Sequence, residues 1–191
     1  MGGVVSIPIV ILLYHRDLET CLAKCRQHLF LTHKSERLFT FVSVYARILC
    51  RVLQHPTLLK PAELQDIIIT ECRKSQLPEL QDIGKLAIKY SQRGDFRVDA
   101  NVIGGQFSPA CYIDESMPSL LYLAYKYADS LEEALVANTN VGGENCHRGA
   151  VLGALMGAAF GQSAIPLRFQ TNLSCFQEIS QEIDTFYNNL K

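Results

Sequence analysis

Apolar side chains along this chain recur mostly at helical spacing. Leu18, Cys21, Leu22, Cys25 and Leu29 fall on one face behind Asp17, a residue suited to cap a helix N-terminus. A longer stripe follows, in which Leu38, Phe41, Val42, Tyr45, Ile48, Leu49, Val52 and Leu53 trace an apolar face that stops at His55-Pro56. Pro61 suits the first turn of a third helix with Leu64, Ile67, Ile68 and Cys72 inward, and Pro78 opens a fourth with Leu80, Ile83, Leu86, Ala87 and Tyr90 inward. Residues 91–110 carry Gly94, Gly104, Gly105 and Pro109 without helical period and read as a long loop, a candidate lid or site wall. Helices resume at Ser116 with Pro118 in the first turn, and Ser130-Leu131-Glu132-Glu133 has the pattern of a capping box. Residues 4–13 are short and uniformly apolar, so periodicity alone leaves a strand open there. The pattern predicts an all-α fold, a compact bundle of seven or eight helices in a single domain over 1–191.

Composition narrows the class. Hydrophobic residues make up 48% of the 191 residues and charged residues 19%, which suits a packed core. The formal net charge of −1 supplies no basic excess for a nucleic-acid partner. No apolar run is long enough to span a bilayer. The odd cysteine count of 7, without a secretory signal, points to reduced thiols in a cytoplasmic protein. Cys21 and Cys25 stand at i, i+4 and read as buried hydrophobes, with a shared metal as the alternative. Met1-Gly2-Gly3-Val4-Val5-Ser6 fits the short myristoylation pattern, which is also met by chance.

The chemistry concentrates late in the chain. Gly149, Gly153, Gly157 and Gly161 are spaced by four and form a ridge nearly without side chains. An interior glycine costs roughly 1 kcal/mol against alanine, so the ridge predicts a central helix on which another helix backbone lies closely. Before it, Gly142 and Gly143 permit an unusual backbone, and a helix N-terminus directly after them suits an anion. Glu144, Asn145, Cys146 and His147 put ligand-capable groups in one turn, although these residues by themselves favour Glu144 as a capping carboxylate and His147 as an ordinary surface or core residue.

The frame Asn140-Val141-Gly142-Gly143-Glu144-Asn145-Cys146-His147-Arg148-Gly149-Ala150, then Gly153-Ala154, Gly157-Ala158, Gly161 and Ile165-Pro166, resembles the late motif of the ADP-ribosylglycohydrolase family, which includes dinitrogenase-reductase-activating glycohydrolases and J1 crystallin. Glu115-Ser116-Met117-Pro118 resembles a helix start of that family, and Pro8 to Tyr14 with Leu31-Thr32-His33 resembles an earlier segment. The resemblance implies hydrolysis of a glycosidic bond between ADP-ribose and a protein side chain or small acceptor, with Mg²⁺ held by acidic residues from both ends of the domain. ADP-ribose or an ADP-ribosylated protein is the implied partner.

The departures are specific. The family's first late Asp falls on Glu144, its second on Cys146 and its Thr on His147, so only Glu144 keeps a carboxylate. A thiol and an imidazole suit Mg²⁺ poorly and admit Zn²⁺ instead. The early acidic motifs have no counterpart, so the chain reads as a domain lacking its N-terminal part. By resemblance, Glu144 and His147 are candidate metal ligands. Gly142, Gly143 and Asn145 are candidate substrate contacts, with Gly104 and Gly105 in a wall for the adenosine half. The alternative is an inactive member acting as an ADP-ribose-binding or crystallin-like structural module. Apolar helix faces left bare by a missing portion would need covering, and a homo-oligomer is one way to cover them.

Overall fold

A computed structural model describes residues 1–189, and among them the chain forms eleven α-helices and no strand. The first is α1 (Ile7–Tyr14), so the apolar run that left a strand open is helical. It follows a single turn at Gly2–Val4. The Asp17 carboxylate accepts the amides of Glu19 and Thr20 and starts α2 (Leu18–Phe30), which buries Cys21, Cys25 and Leu29. Ser35 caps α3 (Glu36–Leu53), whose predicted stripe is buried from Leu38 through Val52. Pro61 is the first residue of α4 (Pro61–Ser75), and a left-handed Gln76 ends it. Pro78 opens only a single 3₁₀ turn, after which α5 (Ile83–Lys89) buries Ile83 and Ala87.

The expected long loop is corrected here. Asp95 caps a short helix, α6 (Phe96–Ala100), and the chain then folds tightly so that Val102 and Ile103 are buried. Five residues are too few to show a helical period, and for that reason the sequence pattern hides this element. A second correction concerns α7 (Ile113–Lys126), which starts before Ser116 and carries Pro118 in its interior. The capping box at α8 (Leu131–Asn140) is half made. Ser130 Oγ accepts the Glu133 amide, but the Glu133 carboxylate turns to Arg93 instead of reaching back. Next come α9 (Asn145–Phe160), α10 (Leu167–Thr171) and the amphipathic α11 (Phe176–Asn189), which buries no residue.

The bundle is organised around α9, which packs against α1, α3, α7 and α8. Two long-range bonds fix α3 and the segment after it to α9: the Tyr45 hydroxyl donates to the Val151 carbonyl at 2.9 Å, and the Leu59 amide to Ala159 at 2.9 Å. The glycine ridge meets close neighbours only at its two ends, and at the far end a Cβ on Gly161 would stand 3.2 Å from Leu58 Cδ1. A Cβ on Gly149 would stand 2.8 Å from Asn138 Nδ2, on Gly153 it would make ordinary contact with Leu135, and on Gly157 it would meet nothing within 4 Å. Helix α9 is therefore central as expected, but the close approaches are to the side chains of Asn138 and Leu58 rather than to a helix backbone along the whole ridge.

Candidate functional site

The turn between α8 and α9 is built by the residues the sequence singles out. Gly142 and Gly143 both have positive φ, 69° and 66°. At Gly143 the requirement is double, because a Cβ there would overlap the Pro109 carbonyl. The Glu144 amide donates to that same carbonyl at 2.9 Å, joining the 108–110 strap to the head of α9. The strap is held in turn by the Ser108 amide, which donates to Glu115 Oε2 at 2.7 Å. The N-terminal ammonium of Met1 donates to the Cys111 carbonyl at 2.5 Å.

Beneath the turn lies Arg148, a residue that no periodicity or motif marks as buried. It is fully buried, and its Nε donates to Asn138 Oδ1 at 2.6 Å while Nη2 donates to the Gly142 carbonyl at 2.9 Å. Asn138 Nδ2 donates to the Asn145 carbonyl at 2.9 Å, and Asn145 Nδ2 to the Thr139 carbonyl at 3.2 Å. Burial pushes the guanidinium pKa down to about 10, and the nearby Glu144 carboxylate opposes that shift. Asn145 thus ties the turn together from within. Glycine at 142 and 143 together with Asn at 138 and 145 is the signal that marks a turn of this kind, but the buried cation that fills it has no sequence signature.

Glu144 and His147 do come together. The imidazole Nδ1 lies against Glu144 Oε1 across one helical turn. Glu144 is the N-cap residue of α9, yet its side chain makes no capping bond, so the capping reading of its carboxylate is corrected by this pairing. Cys146 is exposed, with its thiol against Asn145 Oδ1 at 3.5 Å. Among the described residues no three His, Cys, Asp or Glu side chains converge as metal ligands. Mg²⁺ wants near-octahedral oxygens and structural Zn²⁺ wants four N or S donors, so the donor set at this turn fits neither ion. Cys21 and Cys25 are buried and lie with Cys50, whose Sγ is 3.7 Å from that of Cys21. Burial pushes the Cys25 and Cys50 thiols well up, which keeps them protonated.

Gly104 and Gly105 are engaged elsewhere. The Gly104 amide donates to the Phe107 carbonyl at 2.6 Å, and a Cβ on Gly105 would overlap the Asn101 carbonyl, so both close their own turn behind α6. It is Pro109, not these glycines, that brings the segment to the 142–144 turn.

A second polar centre has no signal in the sequence pattern. Asp99 is 1% exposed and accepts three bonds: from the Tyr122 hydroxyl at 2.7 Å, Lys126 Nζ at 2.7 Å and the Tyr127 hydroxyl at 2.6 Å. Burial and the Asp99 carboxylate together push both phenols above their ordinary range. With every donor aimed at one carboxylate, this centre fastens α6 to the C-terminal end of α7. It forms the floor of a cleft of about 690 Å³ that is edged by Arg93, Phe96, Val136 and Arg168.

Comparison with known proteins gives one match: the family model described as ADP-ribosylglycohydrolase aligns with residues 1–190. No curated protein and no solved structure matches the chain. No helix among the described residues is long and apolar enough to cross a membrane.

Proposed function

The chain belongs to the ADP-ribosylglycohydrolase family, and we propose that residues 1–191 keep its fold as a non-hydrolytic structural module, crystallin-like in kind. The observation that carries this reading is the state of Glu144. It is the one carboxylate left in the late motif, and its oxygen is taken by the His147 imidazole one turn along. The rest of the turn is spent on holding itself. The Gly142 carbonyl accepts from Arg148 and the Glu144 amide donates to Pro109, so two backbone groups suited to a ligand are already satisfied. A Mg²⁺-dependent hydrolase needs several hard oxygen donors in place before it can activate water. This turn offers one carboxylate, one imidazole and one thiol.

ADP-ribose and ADP-ribosylated protein remain the ligands to test, because the family acts on them. The purified chain is incubated with ADP-ribosyl-arginine and ADP-ribosyl-serine peptides with Mg²⁺ or Zn²⁺, and free ADP-ribose is measured. Release no faster than in buffer is expected. Metal-dependent release that Glu144→Gln abolishes would overturn the proposal and restore the hydrolase. A thermal midpoint raised by ADP-ribose without hydrolysis would make the module a binding protein rather than a structural one.

A further inference from the structure

The cleft between α2, α3 and α4 lies outside the glycine turn and carries a different chemistry. It encloses about 570 Å³, within the size range of small-molecule sites. Along α3, Ser43, Arg47 and Arg51 line it at successive i, i+4 positions, with Gln54 beyond them. From α4 come Glu71 and Lys74. Glu71 is 4% exposed, and its Oε1 accepts both Arg51 Nη1 at 3.0 Å and Lys74 Nζ at 2.9 Å. One buried carboxylate therefore fixes two cations from two helices at the cleft edge while neutralising only one of them. Arg47 adds a third positive charge, and among the described residues it has no hydrogen-bond or ion-pair partner.

Two uncompensated positive charges thus face one concavity in a chain whose formal net charge is −1. Like charges at i, i+4 destabilise a helix, so the Arg47–Arg51 pair is a small standing cost that an anion would offset. Guanidinium groups match oxyanions in a planar fork, and an ammonium acts as a point charge beside them. The apolar parts of the wall, Leu18 and Val44, strengthen the field in the cleft.

We infer that this cleft binds a pyrophosphate group, with Arg47, Arg51 and Lys74 as its cationic contacts. A pyrophosphate carries more than one negative charge and so can match both uncompensated cations, where a singly charged oxyanion would leave one of them unpaired. The inference is independent of whether the glycine turn hydrolyses anything.

Isothermal titration calorimetry of the full chain with inorganic pyrophosphate tests it. Saturable binding is expected, weakening as salt is raised. Arg47→Gln and Lys74→Gln should each weaken it about tenfold or more. Arg97→Gln, an exposed arginine paired with Asp95 on α6, should leave it unchanged. Thermal melts establish that each variant is folded. Amide NMR shifts should centre on residues 40–54 and 71–75. ADP and ADP-ribose are titrated in parallel. Tighter binding of ADP than of pyrophosphate assigns the site to a nucleotide, and equal binding assigns it to the free anion. Absence of saturation, retention of full affinity in both cleft variants, or shifts confined to residues 142–148 would overturn the inference.

Discussion

Replacing Asp99 with Asn tests the reading of the α6–α7 fastening most directly. The side chain keeps its size and loses its charge. Lys126 is then left 5% exposed with its only ionic partner among the described residues gone. The Tyr122 and Tyr127 rings, whose centroids lie 5.8 Å and 5.2 Å from Nζ, offset only part of that loss. Breaking a buried ion pair by removing one partner costs about 3–5 kcal/mol, because the surviving charge stays out of water. Against a total stability of about 5–15 kcal/mol this is a large share. For a chain of this length it corresponds to a drop of roughly 6–20 °C in midpoint. Urea unfolding followed by far-UV circular dichroism, with calorimetry in parallel, measures it. Lys126→Met alone should also be costly, since it leaves the Asp99 carboxylate buried with two hydroxyl donors only. The double variant should cost clearly less than the sum of the singles, because it removes both charges together. A loss below about 1 kcal/mol for Asp99→Asn, or strict additivity of the pair, would refute the reasoning.

Other expectations follow from the same geometry. Arg148→Met should cost about 2–4 kcal/mol in urea unfolding, since it strands the Asn138 and Gly142 oxygens in the interior. Gly157→Ala and Gly149→Ala should have opposite signs: the first stabilises by up to about 1 kcal/mol in thermal melts, because the added methyl meets open space. The second destabilises, because Asn138 is committed to Arg148 and Asn145 and cannot step aside. Burial, with the Glu71 carboxylate adding to it, pushes the Cys72 thiol pKa up from 9.0 to about 12. The unfolded chain therefore loses that proton first, and stability falls as pH rises from about 9 towards 12, by about 1.4 kcal/mol per pH unit for this one group. Urea midpoints measured at pH 8 to 11 should fall less steeply in Cys72→Ala than in the parent.

Much of this architecture is written in periodicity. The stripe from Leu38 to Val52 and the Asp17 cap are local signals, and the structure keeps both. Asp99 illustrates the opposite case. Its acceptors' partners lie 23 to 28 residues away, and its own helix has five residues, so neither its burial nor its role leaves a mark in its neighbours. Arg148 is similar, an arginine among alanines and glycines that reads as a polar helix position and is fully enclosed. At the glycine turn, residue type alone marks the left-handed backbone at 142 and 143. It did not identify Pro109 as the contact that makes glycine necessary at 143, because that contact is made across the fold.

The central place of α9 also bears on the order in which the fold is made. Synthesis delivers α1 to α3 first, yet the Tyr45 hydroxyl must wait for the Val151 carbonyl and the Leu59 amide for that of Ala159. Until the chain has emerged through Phe160, α3 can pack on α1, α2 and α4, but the side of it that meets α9 stays uncovered. Early helices can form locally, but their apolar faces stay open to solvent and to chaperones. Folding on the ribosome is therefore a late step that engages the whole bundle, and a nascent chain arrested before residue 145 should remain protease-sensitive where one arrested well past residue 165 is protected.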